Sequence, residues 1–139
     1  MCSSDLFYQD VLGFKLLEQD PDHGGVFLNL AGTSHTIDLF PMGLGGTKPA
    51  SEGSPLLHIA FKVSSYGALR EAYETLIDHK VAVRSLIDHT SQRSIYFSDP
   101  EGNRLEIYYE KQNWAELFEN GRGDEDGVFS FDEPAPGWE

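Results

Sequence analysis

Two segments in the second half of the chain each carry a side chain that could bind a metal ion. His58 lies in the apolar run 56–63, and Glu106 lies in a second strand-like run, 103–109. An imidazole nitrogen and a carboxylate oxygen suit a non-heme iron(II) site built from two histidines and one carboxylate. On the residues alone, two other interpretations stay open: a hydrogen-bonded core histidine, and a surface glutamate on an edge strand.

Other side chains with acid–base or hydrogen-bonding chemistry stand at short spacings from one another. Tyr96 precedes Glu106 by ten residues, His89 precedes Tyr96 by seven, and His35 precedes Asp38 by three. The ordinary pKa of an imidazole is about 6.5, so a histidine suits proton transfer near neutral pH. The alternatives are a tyrosine that packs in the core with its hydroxyl satisfied, and histidines that only face water.

The pattern of apolar and turn residues predicts two similar runs of elements. In the first half we expect a helix over 6–12, ended by Gly13, and strands over 14–19, 26–30 and 35–40. After a stretch rich in Gly, Pro and Ser, we expect a strand over 56–63, a helix over 65–80, and strands over 81–87, 93–98 and 103–109. The second half is therefore β-α-β-β-β, and the first half has the same order without the opening strand.

The two halves overlay weakly but consistently. Residues 34–40 align with residues 102–108, which puts Asp38 in the position of Glu106, and Tyr8 aligns with Tyr73. This repetition predicts an α+β fold of paired modules, the first of them incomplete. We expect one domain over 1–139, with module one at 7–42, a linker at 43–55, module two at 56–110 and an acidic C-terminal tail at 111–139.

Composition excludes several classes of protein. The 139 residues suffice for one domain, and 23 acidic against 10 basic residues give a formal net charge of −13, which argues against nucleic-acid binding. No apolar run is long enough for a membrane span. With Cys2 as the only cysteine, no intramolecular disulfide is possible, and we expect a cytoplasmic protein. Nine acidic and two basic residues between 110 and 139 predict a solvated tail.

Two segments carry a resemblance to a known family. Residues 7–14 read Phe-Tyr-Gln-Asp-Val-Leu-Gly-Phe, and residues 96–106 read Tyr-Phe-Ser-Asp-Pro-Glu-Gly-Asn-Arg-Leu-Glu. Both resemble the vicinal oxygen chelate superfamily, which includes glyoxalase I, bleomycin- and fosfomycin-resistance proteins and extradiol (catechol 2,3-type) dioxygenases. The resemblance runs from about residue 7 to residue 109. It implies paired βαβββ modules that form a cupped mixed sheet around one divalent metal.

The resemblance also implies roles for individual residues. Members of the family take metal ligands from the first and last strands of each module, which assigns His58 and Glu106 to the metal. The extradiol dioxygenase branch implies that Tyr96 hydrogen-bonds a substrate oxygen and that His35 is the acid–base catalyst. Asp38 and His89 are then candidates for a further metal ligand or for a neighbour of the ligands.

The function that we expect is that of a metal-dependent, extradiol-type dioxygenase acting on a small catecholic substrate, nearest the catechol 2,3-dioxygenase-like branch. Iron(II) is the expected metal, with Mn, Zn or Ni as alternatives. Two other functions stay open: a glyoxalase-like, metal-dependent isomerase or lyase, and a metal-free, antibiotic-binding module of the bleomycin-resistance kind. A small molecule is the expected partner, and neither nucleic acid nor a membrane is.

The first module lacks the strand on which the resemblance places a further histidine ligand. His58 lies 15 residues before Tyr73, and 15 residues before Tyr8 falls ahead of the first residue. Residues 1–6 also match what a sequencing-adapter end, read from a GTG start, would encode. We therefore expect a truncated gene with a non-native cysteine near its start. The strand at 36–40 would then have an unpaired edge, which favours a homodimer.

Overall fold

The chain divides into two structural units in its computed structural model. The units comprise Met1–Leu57 and His58–Glu139. Within them the structure describes residues 3–22, 24–30, 36–41, 57–118 and 126–138. The predicted linker at 43–55 and the candidate catalyst His35 lie outside the described residues.

The first unit begins with a short helix that changes its winding. Helix α1 spans Ser3–Leu6 and continues as a π-helical turn, Phe7–Val11. Gly13 follows with a φ of +74°, a left-handed conformation that glycine adopts without steric cost, so the predicted helix end is confirmed. The rings of Tyr8 and Phe14 are buried and meet edge to face, with their centroids 5.6 Å apart.

Three antiparallel strands follow the helix in the order β1-β2-β3. They are β1 (Lys15–Gln19), β2 (Val26–Asn29) and β3 (Ile37–Leu39). The central strand alternates buried and half-buried positions, and its buried residues are Val26 and Leu28. The unit therefore has the order predicted for module one, a helix followed by three strands.

The second unit contains a five-stranded mixed sheet. Its strands are β4 (Ile59–Lys62), β5 (Val83–Asp88), β6 (Gln92–Ser98), β7 (Arg104–Glu110) and β8 (Gly127–Val128). Their order in the sheet is β4-β7-β6-β5-β8, with β4 parallel to β7 and all other neighbours antiparallel. A parallel pair requires a crossover connection, and the helix and hairpin between β4 and β7 provide it.

Helix α2 spans Tyr66–Asp78 and belongs to this crossover. Ser65 caps its first turn, because the hydroxyl accepts the backbone N–H of Ala68 over 3.0 Å. Leu69 and Leu76, seven residues apart, lie on one face of the helix and are fully buried. The sheet supplies further large aliphatic and aromatic side chains of this core, Ile95, Phe97, Leu105 and Ile107.

The predicted α+β class is confirmed. Every strand and helix predicted for the two modules occurs, with ends that differ by three residues at most. These small differences arise where terminal residues leave the regular hydrogen-bond pattern, which apolar periodicity does not report. Within the described residues, no helix is long and apolar enough to cross a membrane.

The C-terminal tail departs from the prediction of a solvated segment. A short helix, α3, spans Trp114–Phe118, and β8 pairs with the edge of β5. Beyond β8, the side chains of Phe131, Ala135 and Trp138 are buried. The acidic residues Asp126, Asp132 and Glu133 are exposed, as the prediction has it, whereas the packing of the apolar residues between them was not predicted from the acidic count.

Arg93 organises the packing of this tail. Its guanidinium carbon lies 4.5 Å from the ring centroid of Phe129 and 4.8 Å from that of Trp138. Its Nε donates to a carboxylate oxygen of Asp88 and its Nη1 donates to the hydroxyl of Tyr66, each over 2.8 Å. A planar guanidinium can stack on aromatic rings and donate hydrogen bonds in its plane at the same time. One residue of β6 therefore contacts the segment 126–138 near its start, at Phe129, and near its end, at Trp138.

Trp138→Ala should lower the free energy of unfolding by about 3 kcal/mol, the lower end of the cost of truncating a buried aromatic side chain. Trp138 is 6% exposed, whereas Trp114 is 45% exposed, so Trp114→Ala is the matched control. The control should cost less than about 1 kcal/mol. Urea unfolding followed by far-ultraviolet circular dichroism measures both. Equal losses for the two variants would contradict the role of the tail in stability.

Candidate metal centre

The register of the sheet brings His58, Tyr96 and Glu106 to one face of the second unit. Glu106 lies opposite Ala60 in the parallel β4–β7 pair and opposite Tyr96 in the antiparallel β7–β6 pair. His58 precedes Ala60 by two residues, so the alternation of side chains along a strand points both to the same side. Strands β6 and β7 and the residue directly before β4 therefore each direct one chemically active side chain to the same place.

Glu106 is the centre of this cluster, and it is only 3% exposed. Its Oε2 lies 2.8 Å from Nε2 of His58. Its Oε1 accepts from the hydroxyl of Tyr96 over 3.1 Å and from the side-chain amide of Gln92 over 3.3 Å. A buried carboxylate is stable only with such partners, which here come from both neighbouring strands. The His58 side chain is 30% exposed, so the cluster can be reached from solvent at the imidazole.

Tyr96 is held in its neutral form. Burial, together with the charge of Glu106 and the hydrogen bond to it, raises the pKa of Tyr96 from 10.0 to about 12. The phenol therefore keeps its proton throughout the physiological range. It acts as a hydrogen-bond donor in this cluster.

The Asp-Pro-Glu-Gly-Asn segment that begins at Asp99 forms the turn that leads into β7. The buried Asp99 carboxylate accepts the backbone N–H groups of Glu101 and Asn103, over 3.0 and 2.8 Å, and the side-chain amide of Asn103 over 2.8 Å. Gly102 completes the turn with a φ of +87°. Most of this distinctive motif thus serves to fix the start of the strand that carries Glu106.

His89 extends the cluster on the far side of Tyr96. It follows β5 in the turn that leads to β6, and its Nε2 lies 3.0 Å from the hydroxyl of Tyr96. Its Nδ1 lies 2.7 Å from Oδ1 of Asp126. The structure thus places this candidate beside Tyr96, and its ring nitrogens are engaged by a phenol and a carboxylate of the tail.

Neither Gln92 nor Asp126 was among the site residues predicted from the sequence. Gln92 lies four residues before Tyr96 on the same strand, so the alternation that placed Glu106 could also have indicated this amide. Asp126 has no comparable signal, because it lies in a tail without apolar periodicity. Its role depends on the pairing of β8 with β5, which joins residues about 40 positions apart.

The two remaining candidates belong to the first unit or lie outside the described residues. Asp38 is an exposed residue of β3, opposite Phe27 of β2. His35 is among the residues that the structure does not describe. Their predicted roles stay predictions.

The donor atoms fit part of a divalent metal site. An imidazole and a carboxylate on neighbouring strands, with Nε2 of His58 and Oε2 of Glu106 2.8 Å apart, form a pair that iron(II), Zn or Ni can take. Tyr96 and Gln92 hold the other oxygen of Glu106, as outer partners of a ligating carboxylate do. No set of three or more His, Cys, Asp or Glu within the described ranges could hold an ion. Further ligands would be water or residues beyond those ranges.

In the metal-free protein, the phenol of Tyr96 should ionise with a pKa of about 12. Phenolate absorbance in the near ultraviolet, taken as the difference between wild type and Tyr96→Phe, measures it. Glu106→Gln should lower this pKa, because the variant removes the neighbouring negative charge. Since the folded-state pKa exceeds the ordinary value of about 10, the stability gained from protonated Tyr96 is complete below that pH and is lost as pH rises through about 12. Ionisation at the ordinary value would contradict this description of the cluster.

Comparison with known proteins identifies the family. The model of the Glyoxalase/Bleomycin resistance protein/Dioxygenase superfamily matches residues 6–107. The chain is 33% identical over 104 residues to biphenyl-2,3-diol 1,2-dioxygenase 3 of Rhodococcus globerulus, over 73% of this chain and 53% of that protein. It is 32% identical over 114 residues to the uncharacterized protein YaeR of Escherichia coli K12, over 76% of this chain and 84% of that protein.

A solved structure agrees with this assignment at the level of the fold. The glyoxylase/bleomycin resistance protein/dioxygenase domain from Frankia sp. EAN1pec superposes with a TM-score of 0.66 at 24% identity, over 79% of this chain and 83% of that one. The chain spans about half the length of the Rhodococcus dioxygenase, 53%. Members of the superfamily usually depend on a divalent metal. The chain belongs to the glyoxalase/bleomycin resistance protein/dioxygenase superfamily.

Proposed function

We propose that this chain provides the metal-binding module of an extradiol-type dioxygenase that uses iron(II) and acts on a small catecholic substrate. The observation that carries the proposal is the Glu106 carboxylate, which is buried and paired with His58 through one oxygen and with the neutral hydroxyl of Tyr96 through the other. The likeness to a biphenyl-2,3-diol 1,2-dioxygenase supports the same substrate class.

His58 and Glu106 would hold the metal in this proposal. When bound, iron(II) supplies an electrophilic centre for two vicinal oxygens and the redox chemistry that dioxygen requires. The protein contributes the fixed position of the two donor atoms. The short separation of Nε2 and Oε2 is set by the register of β4 and β7, so little reorganisation of these strands is needed.

Tyr96 would orient the substrate by donating a hydrogen bond to one of its oxygens. A phenol with a pKa of about 12 stays protonated at neutral pH and has no free site to take a proton, so it holds and polarises the substrate and leaves proton removal to another group. Following the resemblance, we assign proton transfer to His35. His89 lies next to Tyr96 and restricts the position of its hydroxyl.

A second candidate is a glyoxalase-like isomerase or lyase that uses Ni or Zn. The His58–Glu106 pair favours it as well, because an imidazole and a carboxylate suit these metals equally. The family also gives the third candidate, a metal-free, antibiotic-binding module.

Homodimer formation and a cytoplasmic location are further parts of the proposal. Among the described strands, β3, which lies in the predicted strand over 36–40, is at an edge of its sheet and pairs only with β2, and β4 is likewise at an edge of the other sheet. An edge strand of this kind suits pairing with another strand, which a second copy of the chain could supply. Sedimentation analysis of the purified protein tests the dimer.

Oxygen uptake tests the proposed reaction. The protein is loaded with iron(II) without oxygen, its metal content is determined, and uptake is measured against a panel of catechols. Uptake with formation of a ring-cleaved product supports the dioxygenase. Bound Zn or Ni without uptake favours the isomerase or lyase, and absence of both metal and turnover favours the binding module.

Glu106→Gln should weaken binding of iron(II) by more than about 100-fold. Loss of a side chain that only hydrogen-bonds a metal ligand already lowers metal affinity by about 10–100-fold, and this variant removes a proposed ligand itself. Glu110→Gln is the matched control, because Glu110 lies on the same strand and pairs with Lys62. The control should bind iron(II) as wild type does. Equilibrium metal titration measures both, and equal affinity of the two variants would exclude Glu106 as a ligand.

His35→Ala should leave the metal content unchanged and lower turnover by about 100-fold or more, the usual contribution of acid–base catalysis. Metal analysis and oxygen uptake on the same sample separate two other outcomes. Loss of the metal would make His35 a ligand. Unchanged turnover would make it a surface residue.

A further inference from the structure

The segment 126–138, here called the C-terminal strap, reaches the candidate site through its first residue. Oδ1 of Asp126 lies 2.7 Å from Nδ1 of His89, and Nε2 of the same ring lies 3.0 Å from the hydroxyl of Tyr96. We propose that Asp126 is a positioning residue that fixes the tautomer of His89, so that the imidazole presents an unprotonated Nε2 to Tyr96.

The hydrogen-bonding capacity of each group determines which nitrogen of His89 carries the proton. An ionised carboxylate only accepts hydrogen bonds, so Nδ1 of His89 must carry the proton that lies between it and Asp126. In a neutral imidazole the other nitrogen then has no proton and accepts. In its neutral form, His89 therefore faces the hydroxyl of Tyr96 as an acceptor.

This tautomer decides where the phenol proton of Tyr96 can go. The hydroxyl has one proton and two acceptors at similar distances, Nε2 of His89 at 3.0 Å and Oε1 of Glu106 at 3.1 Å. In the opposite tautomer Nε2 would donate to the phenol oxygen, and the phenol proton would be directed to Glu106 alone. Asp126 thus controls the hydrogen bonding of a carboxylate that it does not contact.

The backbone places Asp126 where this contact forms. Strand β8 pairs with β5 in an antiparallel register that sets Val128 opposite Ile87 and Gly127 opposite Asp88. Continued by one residue, the same register sets Asp126 opposite His89. The side-chain contact therefore follows from the strand pairing.

The remainder of the strap is anchored independently of this contact. The guanidinium of Arg93 packs against the rings of Phe129 and Trp138, 4.5 and 4.8 Å from their centroids, and Nζ of Lys111 lies 4.1 Å from the Trp138 centroid. The Asp126 side chain is 50% exposed, whereas that of His89 is 11% exposed. A half-exposed carboxylate adds little to stability, so its effect on the orientation of His89 can be tested without unfolding the strap.

Nitrogen NMR of the histidine rings tests the proposal directly. In ¹H–¹⁵N correlation spectra, recorded with neutral rings, wild-type His89 should show a protonated Nδ1 and an unprotonated Nε2. His89→Gln assigns the signals among the five histidines. In Asp126→Asn the tautomer with protonated Nε2 should gain population, because a carboxamide can donate to Nδ1. Asp126→Glu should keep the wild-type tautomer, because it retains a carboxylate that can only accept the Nδ1 proton.

Asp132→Asn is the matched control, because Asp132 is an exposed acidic residue of the same strap and the variant removes the same charge. It should leave the His89 signals unchanged. Identical His89 signals in wild type and Asp126→Asn would overturn the proposal, as would an equal change in Asp132→Asn.

The tautomer does not depend on the proposed function, whereas its effect on turnover does. If the protein is a dioxygenase, Asp126→Asn should lower kcat about 10-fold and leave KM nearly unchanged. About 10-fold is the lower end of the loss of activity seen when a side chain that orients an active-site group is removed. Unchanged kcat despite a changed tautomer would overturn the catalytic part of the proposal. Absence of oxygen uptake by the wild type would contradict the proposed function alone, since the NMR result decides the positioning role separately.

Discussion

The burial of one carboxylate constrains the arrangement of the second unit. An unpaired charge removed from water costs several kcal/mol, so Glu106 needs partners wherever the sheet places it. These partners come from either side of β7, an imidazole from the residue directly before β4 and a hydroxyl and an amide from β6. The side chains that solvate the carboxylate are thus also the ones that a metal or substrate would meet. Stability and chemistry depend here on the same contacts.

Much of this arrangement could be predicted because it follows from local rules. The alternation of side chains along a strand is enough to place His58 and Glu106 each on a defined face, and the turn residues that begin at Asp99 are enough to locate the start of β7. Helix α2 could be predicted from the spacing of Leu69 and Leu76, which are both buried. In each case the signal lies within one element, so the sequence of that element is sufficient.

The features that escaped prediction depend on pairings between distant elements. The net charge of the tail suggested a solvated segment, but its aromatic residues pack against Arg93 while Asp132 and Glu133 between them stay exposed. Asp126 meets His89 only because β8 pairs with β5, and nothing in the tail itself indicates that register. A short strand of two residues has no periodicity to detect.

The parallel pairing of β4 with β7 connects ion affinity with folding. His58 and Glu106 are 48 residues apart in the chain, and α2 and the β5–β6 hairpin must be in place before their side chains meet. The two donor atoms are therefore adjacent only in the folded unit, and an ion that requires both binds the folded state alone. By mass action, an ion present at 100 times its Kd would add about 2.7 kcal/mol to the stability of the unit. A substitution that loosens the crossover would accordingly weaken ion binding without touching a ligand.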